Sequence, residues 1–155
     1  MSLKIVSGGQ TGVDRAALEW ALDFAIECGG WCPAGRIAED GVIDSKFPLL
    51  ETPSASYSQR TEWNVRDSDG TVLVSLQPKL VGGSKLTLKF ASKWNRPCLV
   101  LNKATIENPS RLLKAFVDEH FIETLNVAGP RESTESGTRE FVRSVLKGAF
   151  GDETL

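Results

Sequence analysis

Ser7-Gly8-Gly9-Gln10-Thr11-Gly12-Val13-Asp14-Arg15 follows directly on Leu3-Lys4-Ile5-Val6 and runs into a periodic apolar stretch, and this junction decides the fold. Leu3 to Ser7 reads as a short buried strand, and the glycines after it demand a sharp turn. Beyond the turn, Val13, Ala16, Ala17, Trp20, Ala21, Phe24 and Ala25 recur at helical spacing until Gly29-Gly30 supplies a stop signal. Glycines at such a strand-to-helix turn let the backbone approach a ligand closely. The first amides of the helix lack partners within it and suit an oxyanion. Gly8, Gly9, Gln10, Thr11 and Gly12 are therefore candidate phosphate contacts, with Thr11 adding a hydroxyl and Arg15 a planar charged fork. A turn that needs glycine only for its backbone angles is the alternative. The spacing matches neither G-x-G-x-x-G nor the Walker-type loop.

The same alternation continues along the chain. Trp31-Cys32 predicts a second short strand, followed by an irregular stretch from Pro33 to about Ser58 whose length makes it a candidate ligand lid. Thr61 to Arg66 has room for a brief helix, and Thr71 to Leu76 reads as a central strand. Gly82-Gly83-Ser84 opens a helix over Lys85 to Trp94, Pro97 to Leu101 is a strand, and Asn108-Pro109 starts a helix to about His120. Glu123 to Ala128 is the last strand. Thr134 or Ser136 is the expected cap of a final helix carrying Phe141, Val142, Val145 and Leu146 inward. Such alternation predicts an α/β fold, a doubly wound, mainly parallel sheet with helices on both faces, spanning residues 1–155 as one domain. Ligands of such sheets sit beyond the carboxyl ends of the strands, where strand order reverses.

Gly82, Gly83, Ser84 and Thr87 form the second candidate loop, placed to face the first across one cleft with converging N–H donors. The loop Gly129 to Gly137 adds Arg131, Ser133 and Thr138, with polar side chains that merely cap the final helix as the competing reading. The segment from Glu39 to Asp69 is acidic, and Glu39, Asp40 and Asp69 stand beside turn glycines near the expected site. Trp63 is the expected pocket wall.

Composition narrows the partners. The 155 residues include 18 basic and 20 acidic ones, for a net charge of −2, so nothing favours broad binding to nucleic acid. No window approaches a membrane span, and the first residues lack the pattern of a signal peptide. Three cysteines form no closed disulfide framework, and the reading is a cytoplasmic protein. His120 is the lone histidine, and Cys28 and Cys32 lack a second pair, so no protein-ligated metal site is expected.

Several runs together resemble a known family: Ser7 to Leu18 (SGGQTGVDRAAL), Gly35-Arg36-x-Ala38-Glu39-Asp40-Gly41, Tyr57-x-x-Arg60-Thr61-x-x-Asn64-Val65, Ser68-Asp69-Gly70-Thr71 and Asn126 to Ser133. They resemble the putative molybdenum carrier family over nearly the whole chain. That family is similar to the Rossmann-like superfamily that also holds the cytokinin-activating nucleotide phosphoribohydrolases, formerly labelled lysine decarboxylases. The resemblance implies a Rossmann-like fold, a homo-oligomer (dimer or tetramer), and a pocket for the molybdenum cofactor (molybdopterin) or a nucleotide-like ligand. Phosphoribohydrolases carry P-G-G-x-G-T-x-x-E. Gly82-Gly83-Ser84 with Thr87 occupies the analogous place here without the second glycine-threonine pair or the glutamate. A carrier is expected over an enzyme. On this reading Arg36, Asp40, Arg60, Asn64 and Asp69 line the pocket and choose the ring of a small phosphorylated ligand. The enzymatic alternative is a nucleotide N-glycosidase in which Glu39 or Asp40 replaces the missing glutamate, and a nucleotide-sensing regulator is a third reading.

Overall fold

The computed structural model describes residues 2–151. Five parallel strands form the central sheet: β1 (Lys4–Val6), β2 (Glu27–Gly29), β7 (Gly70–Ser75), β8 (Cys98–Asn102) and β9 (Thr124–Ala128), in the order β2-β1-β9-β7-β8. Carrying β9 to the front of the chain would turn this order into 3-2-1-4-5, that of the doubly wound dinucleotide folds. Strand order therefore reverses between β9 and β7. Helix α1 (Val13–Asp23) joins β1 to β2, and between β2 and β7 lie β3 (Trp31–Cys32), a hairpin of β4 (Ile37–Ala38) and β5 (Gly41–Val42), β6 (Leu50–Glu51) and α2 (Tyr57–Arg66). The later helices are α3 (Gly83–Lys93), α4 (Pro109–Glu119) and α5 (Thr138–Phe150).

The two faces of the sheet differ in chemistry. Because side chains alternate along a strand, Ile5, Val72, Val74, Leu101, Leu125 and Val127 all face one side. There they join Trp20 of α1, Leu113 and Phe116 of α4, and Val142, Val145, Leu146 and Phe150 of α5 in one apolar core. The opposite side carries Thr71, Ser75 and Asn126 instead, all buried, beneath α2 and α3. Those helices turn Arg60, Asn64, Ser84 and Thr87 inward. A polar interior on one face, fully buried yet not apolar, is where a polar ligand finds partners already desolvated.

Several boundaries differ from the sequence reading. Ala25 adopts a left-handed backbone (φ 55) that ends α1 early, leaving Glu27–Gly29 to form the edge strand β2. The expected second strand, Trp31–Cys32, pairs with β6 outside the main sheet. Neither Thr134 nor Ser136 caps α5; Gly137 occupies that place with φ 82, and its N–H donates to Glu132 Oε1 at 3.1 Å. Asn108 caps α4 as expected, its Oδ1 accepting the Arg111 N–H at 3.2 Å.

The long segment after Pro33 is a folded strap with a core of its own. Ala38, Ile43, Phe47 and Leu49 pack with Cys32 on Leu18 of α1. Arg36 binds it from within, donating to the carbonyls of Asp44 (2.8 Å), Phe47 (3.0 Å), Leu49 (3.2 Å) and Ile43 (3.3 Å). No described helix is long and apolar enough to cross a membrane.

Candidate functional site

At the carboxyl end of the sheet, where β9 and β7 diverge, lies a cleft of about 160 Å³. Its walls come from four places. The turn after β1 supplies Gly8 and Gln10, with Asp14 from the first turn of α1. Helix α2 supplies Arg60, Thr61 and Asn64; the approach to α3 supplies Val81, Gly82, Gly83 and Thr87. Strand β9 and the loop after it supply Asn126, Ala128, Gly129, Pro130, Arg131 and Thr134. Two glycine-rich helix starts thus meet at one cleft, as the chain order of motifs predicts.

Their amides are used differently. In the first loop, Val13 N–H donates to Pro130 O at 3.3 Å and Arg15 N–H to Gln10 O at 3.0 Å. The amides of Gln10 and Gly8 face the carboxylate of Asp14. This loop is an anion cradle already filled by the protein's own side chain. In the second, Ser84 N–H bonds Val81 O, while Gly83 and Lys85 N–H have no acceptor among the described residues. Nothing stands within 4 Å of a side chain imagined on Gly82 or Gly83, so this helix start is open.

Gln10 is the most informative wall residue. Only 5% of it is exposed. Its Oε1 accepts from Thr11 N–H (3.0 Å) and Glu39 N–H (2.9 Å), which fixes which end of the amide is oxygen. Its Nε2 is buried with no acceptor. Buried donors are rarely left unpaired, which sets this side chain apart from the satisfied polar groups around it.

Two guanidinium groups bracket Tyr57, Arg60 at 5.2 Å and Arg131 at 5.1 Å from the ring centre. The guanidinium of Arg131 makes no ion pair or hydrogen bond among the described residues and remains available to an anion. Arg60 is buried and meets Asp14 Oδ2, Gly8 O and Tyr57 O, each at 3.3 Å. Burial pushes the Asp14 carboxyl up to about 6 against the pull of Arg60, and burial likewise lowers Arg60, against the pull of Asp14.

Of the residues singled out from sequence, Gly8, Gln10, Arg60, Asn64, Gly82, Gly83, Thr87 and Arg131 line this cleft; the others do not. Arg15 points away, bonding Asp40 (2.5 and 3.1 Å) and Gly9 O (3.0 and 3.3 Å). Asp40, expected to choose the ring, is thereby occupied, and the Arg15 hydrogen bond holds its carboxyl below the usual range. Glu39 likewise ties loops together: its carboxylate accepts from Thr11 Oγ1, from Ser133 Oγ at 2.5 Å and from Ser133 N–H at 3.1 Å. The Ser133 and Thr11 hydrogen bonds lower its pKa. Neither acid stands on the cleft wall, so the glycosidase reading loses both of its proposed bases.

Thr11, Gly12 and Ser133 belong to this same brace between loops. Gly9 meets Leu49 and Ile43 of the strap, and Arg36 holds the strap's carbonyls. Ser84 is buried in α3 beside the cleft, outside its lining. Asp69 is placed at the wrong end of the sheet: it accepts from Glu123 N–H (3.0 Å) and Thr124 N–H (2.9 Å), where β9 begins. Residues of the strap do not line the cleft. Trp63 stacks edge-on against Trp31, ring centres 4.8 Å apart, away from the wall it was expected to form.

Sequence reasoning gave no site role to Asp14, Thr61, Val81, Asn126 and Ala128, and within the candidate loop after β9 it did not single out Gly129, Pro130 or Thr134 as contacts. A usable signal existed for Asn126, a polar residue between Leu125 and Val127 in an otherwise apolar strand. Asp14 carried one too, since a carboxylate on the second helical residue after a glycine turn can fold back onto that turn's amides. Among the described residues no group of three or more His, Cys, Asp and Glu is arranged to hold a metal ion. Cys28, Cys32 and Cys98 are free thiols off the cleft.

A sequence profile of the Circularly permutated YpsA SLOG family matches residues 5–150. The chain is also similar to a crystal structure from Syntrophus aciditrophicus SB described as a "Putative molybdenum carrier protein". That structure is 41% identical, with a TM-score of 0.92 over 96% of this chain and 94% of the other. No curated protein matches the chain.

Proposed function

The chain belongs to the Circularly permutated YpsA SLOG family, and we propose that its cleft binds a small, phosphorylated or otherwise oxyanionic ligand. The molybdenum cofactor is the first such ligand to test. The observation that carries the reading is the buried, unpaired Nε2 of Gln10 on the cleft wall, flanked by the unpaired guanidinium of Arg131 and the open start of α3. All three are donors, and together they complement an anion or carbonyl-rich group. The described resemblance to a structure called a molybdenum carrier supports that cargo.

The residues present fit it in kind. A molybdopterin has a phosphate for the α3 amides and Arg131, and a pterin edge for Gln10, Asn64 and Asn126. Its own dithiolene binds the metal, so the absence of cysteine from the lining is no obstacle. In size, about 160 Å³ encloses one ring or a phosphate group; ligand pockets typically run from ~300 Å³. Such a ligand would project through the mouth.

A nucleotide-like ligand shares the phosphate and the ring edge and is the second reading. On either, the protein holds its ligand rather than transforming it, in the cytoplasm and as a homo-oligomer. Mass spectrometry and molybdenum analysis of the purified protein, with calorimetric titration of molybdopterin and of nucleoside monophosphates, test the assignment. Tight nucleotide binding with indifference to the pterin would replace the cargo; no binding of either would remove the function. Light scattering reports the oligomeric state.

A further inference from the structure

The anion-binding reading leaves one feature of the cleft unused. Among the residues that line it, Asp14 alone carries a carboxyl group, and no histidine reaches it. An acid on the wall of an anion site opposes the ligand by charge, and this one is 7% exposed, with little water to screen it. It is held by Arg60, whose contact at 3.3 Å is long for a charge-assisted pair, usually about 2.7–2.9 Å. Arg60 Nη2 makes no hydrogen bond among the described residues, so its fork is only partly engaged.

We propose that the cleft takes up its anionic ligand together with a proton, which Asp14 carries, and that Arg60 then turns its charge from Asp14 toward the ligand. This rests on the anion-binding reading above. An anion entering beside ionised Asp14 repels it and competes for Arg60; both effects favour the neutral carboxyl. The neutral acid keeps a lone pair for the Gly8 and Gln10 amides, and its proton bonds an oxygen of the ligand or the Gly8 carbonyl. The charged groups facing this pair are few. Arg15 acts on Asp14 from the same helix, and Tyr57, Arg131 and Cys32 act on Arg60 from α2, the β9–α5 loop and β3. Burial raises Cys32 above the usual thiol range, and Asp14 is the carboxyl that stands on the cleft wall beside Arg60, placed to take up the proton. Its carboxyl, pushed up to about 6 by burial, is poised for that uptake.

Sulfate is the probe, because its own charge is constant across the neutral range. Binding to the whole protein is measured by calorimetry near pH 7 in two buffers of different ionisation enthalpy, and then from about pH 5.5 to about pH 8. The expected results are uptake approaching one proton per sulfate and an affinity that falls up to about tenfold per pH unit above about pH 6, levelling below it. Asp14→Asn removes the proton uptake and makes whatever sulfate affinity it has independent of pH. If that variant does not fold, the two-buffer measurement on the wild type decides alone. Sulfate binding without proton uptake overturns the coupling and leaves the anion site standing. Absence of sulfate binding at every pH overturns both.

Discussion

Gly12 was read from sequence as a ligand contact, and the structure gives it a different task that substitution can measure. A side-chain carbon on Gly12 would lie 2.5 Å from Pro130 O, 2.9 Å from Glu132 N and 3.0 Å from Arg131 C. All three are backbone atoms of the loop after β9, so no rotamer change relieves the overlap. The residue also sits at φ 80, ψ −129, a region L-residues avoid at a cost of about 1–3 kcal/mol. Overpacking adds about 1–3 kcal/mol, so Gly12→Ala should destabilise the fold by about 2–6 kcal/mol. At about 2–4 °C per kcal/mol for a chain of this size, melting drops by roughly 4–24 °C. Gly83→Ala is the control: nothing lies within 4 Å, and an exposed helical glycine costs up to about 1 kcal/mol relative to alanine, so stability should hold or rise slightly. Urea unfolding of both variants checks the pair. If Gly12→Ala unfolds within about 0.5 kcal/mol of Gly83→Ala, loop-against-loop contact is not what requires glycine there, and the reasoning fails.

Three further outcomes are expected. Asp14 binds its proton more tightly in the folded chain, at about 6, than in the unfolded one at about 3.9. Its contribution is therefore fullest below about pH 4 and is lost as pH rises through about 6, by about 3 kcal/mol; denaturant midpoints of wild type and Asp14→Asn across that window should diverge accordingly. Arg36→Ala deprives four strap carbonyls of their donor. Limited proteolysis should then cut residues 33–51 at least about tenfold faster, equivalent to about 1.4 kcal/mol or more of local stability, while amides of β7 and β9 exchange as before. Arg131→Ala should weaken oxyanion binding about tenfold to a hundredfold, as loss of a charge-assisted contact of about 1.5–3 kcal/mol implies, and shift melting by no more than a few degrees, since its stacking on Tyr57 and its longer-range attraction to Glu39 are modest and its repulsion of Arg60 is relieved; unchanged affinity would remove Arg131 from the site.

Local chemistry made much of this protein legible. Periodic apolar residues and glycine breaks marked the alternating strands and helices, because backbone propensity and side-chain alternation act over a few residues. The two glycine-rich turns were visible for the same reason, and their chain positions after strands were enough to bring them to one end of a parallel sheet. Tertiary structure decided what those turns contain. Whether Glu39 and Asp40 serve a ligand or a loop depends on Ser133 and Arg15, 94 and 25 residues away in the chain, and no local pattern encodes such a pairing. Asp69 shows the same limit: its turn lies beside β7, but only the parallel register puts it where β9 begins. Strand order, too, is a global property. Inserting β9 between β1 and β7 places the reversal, and with it the cleft, beside Asn126 and Gly129, because a sheet is assembled by long-range pairing that the sequence specifies only as a whole.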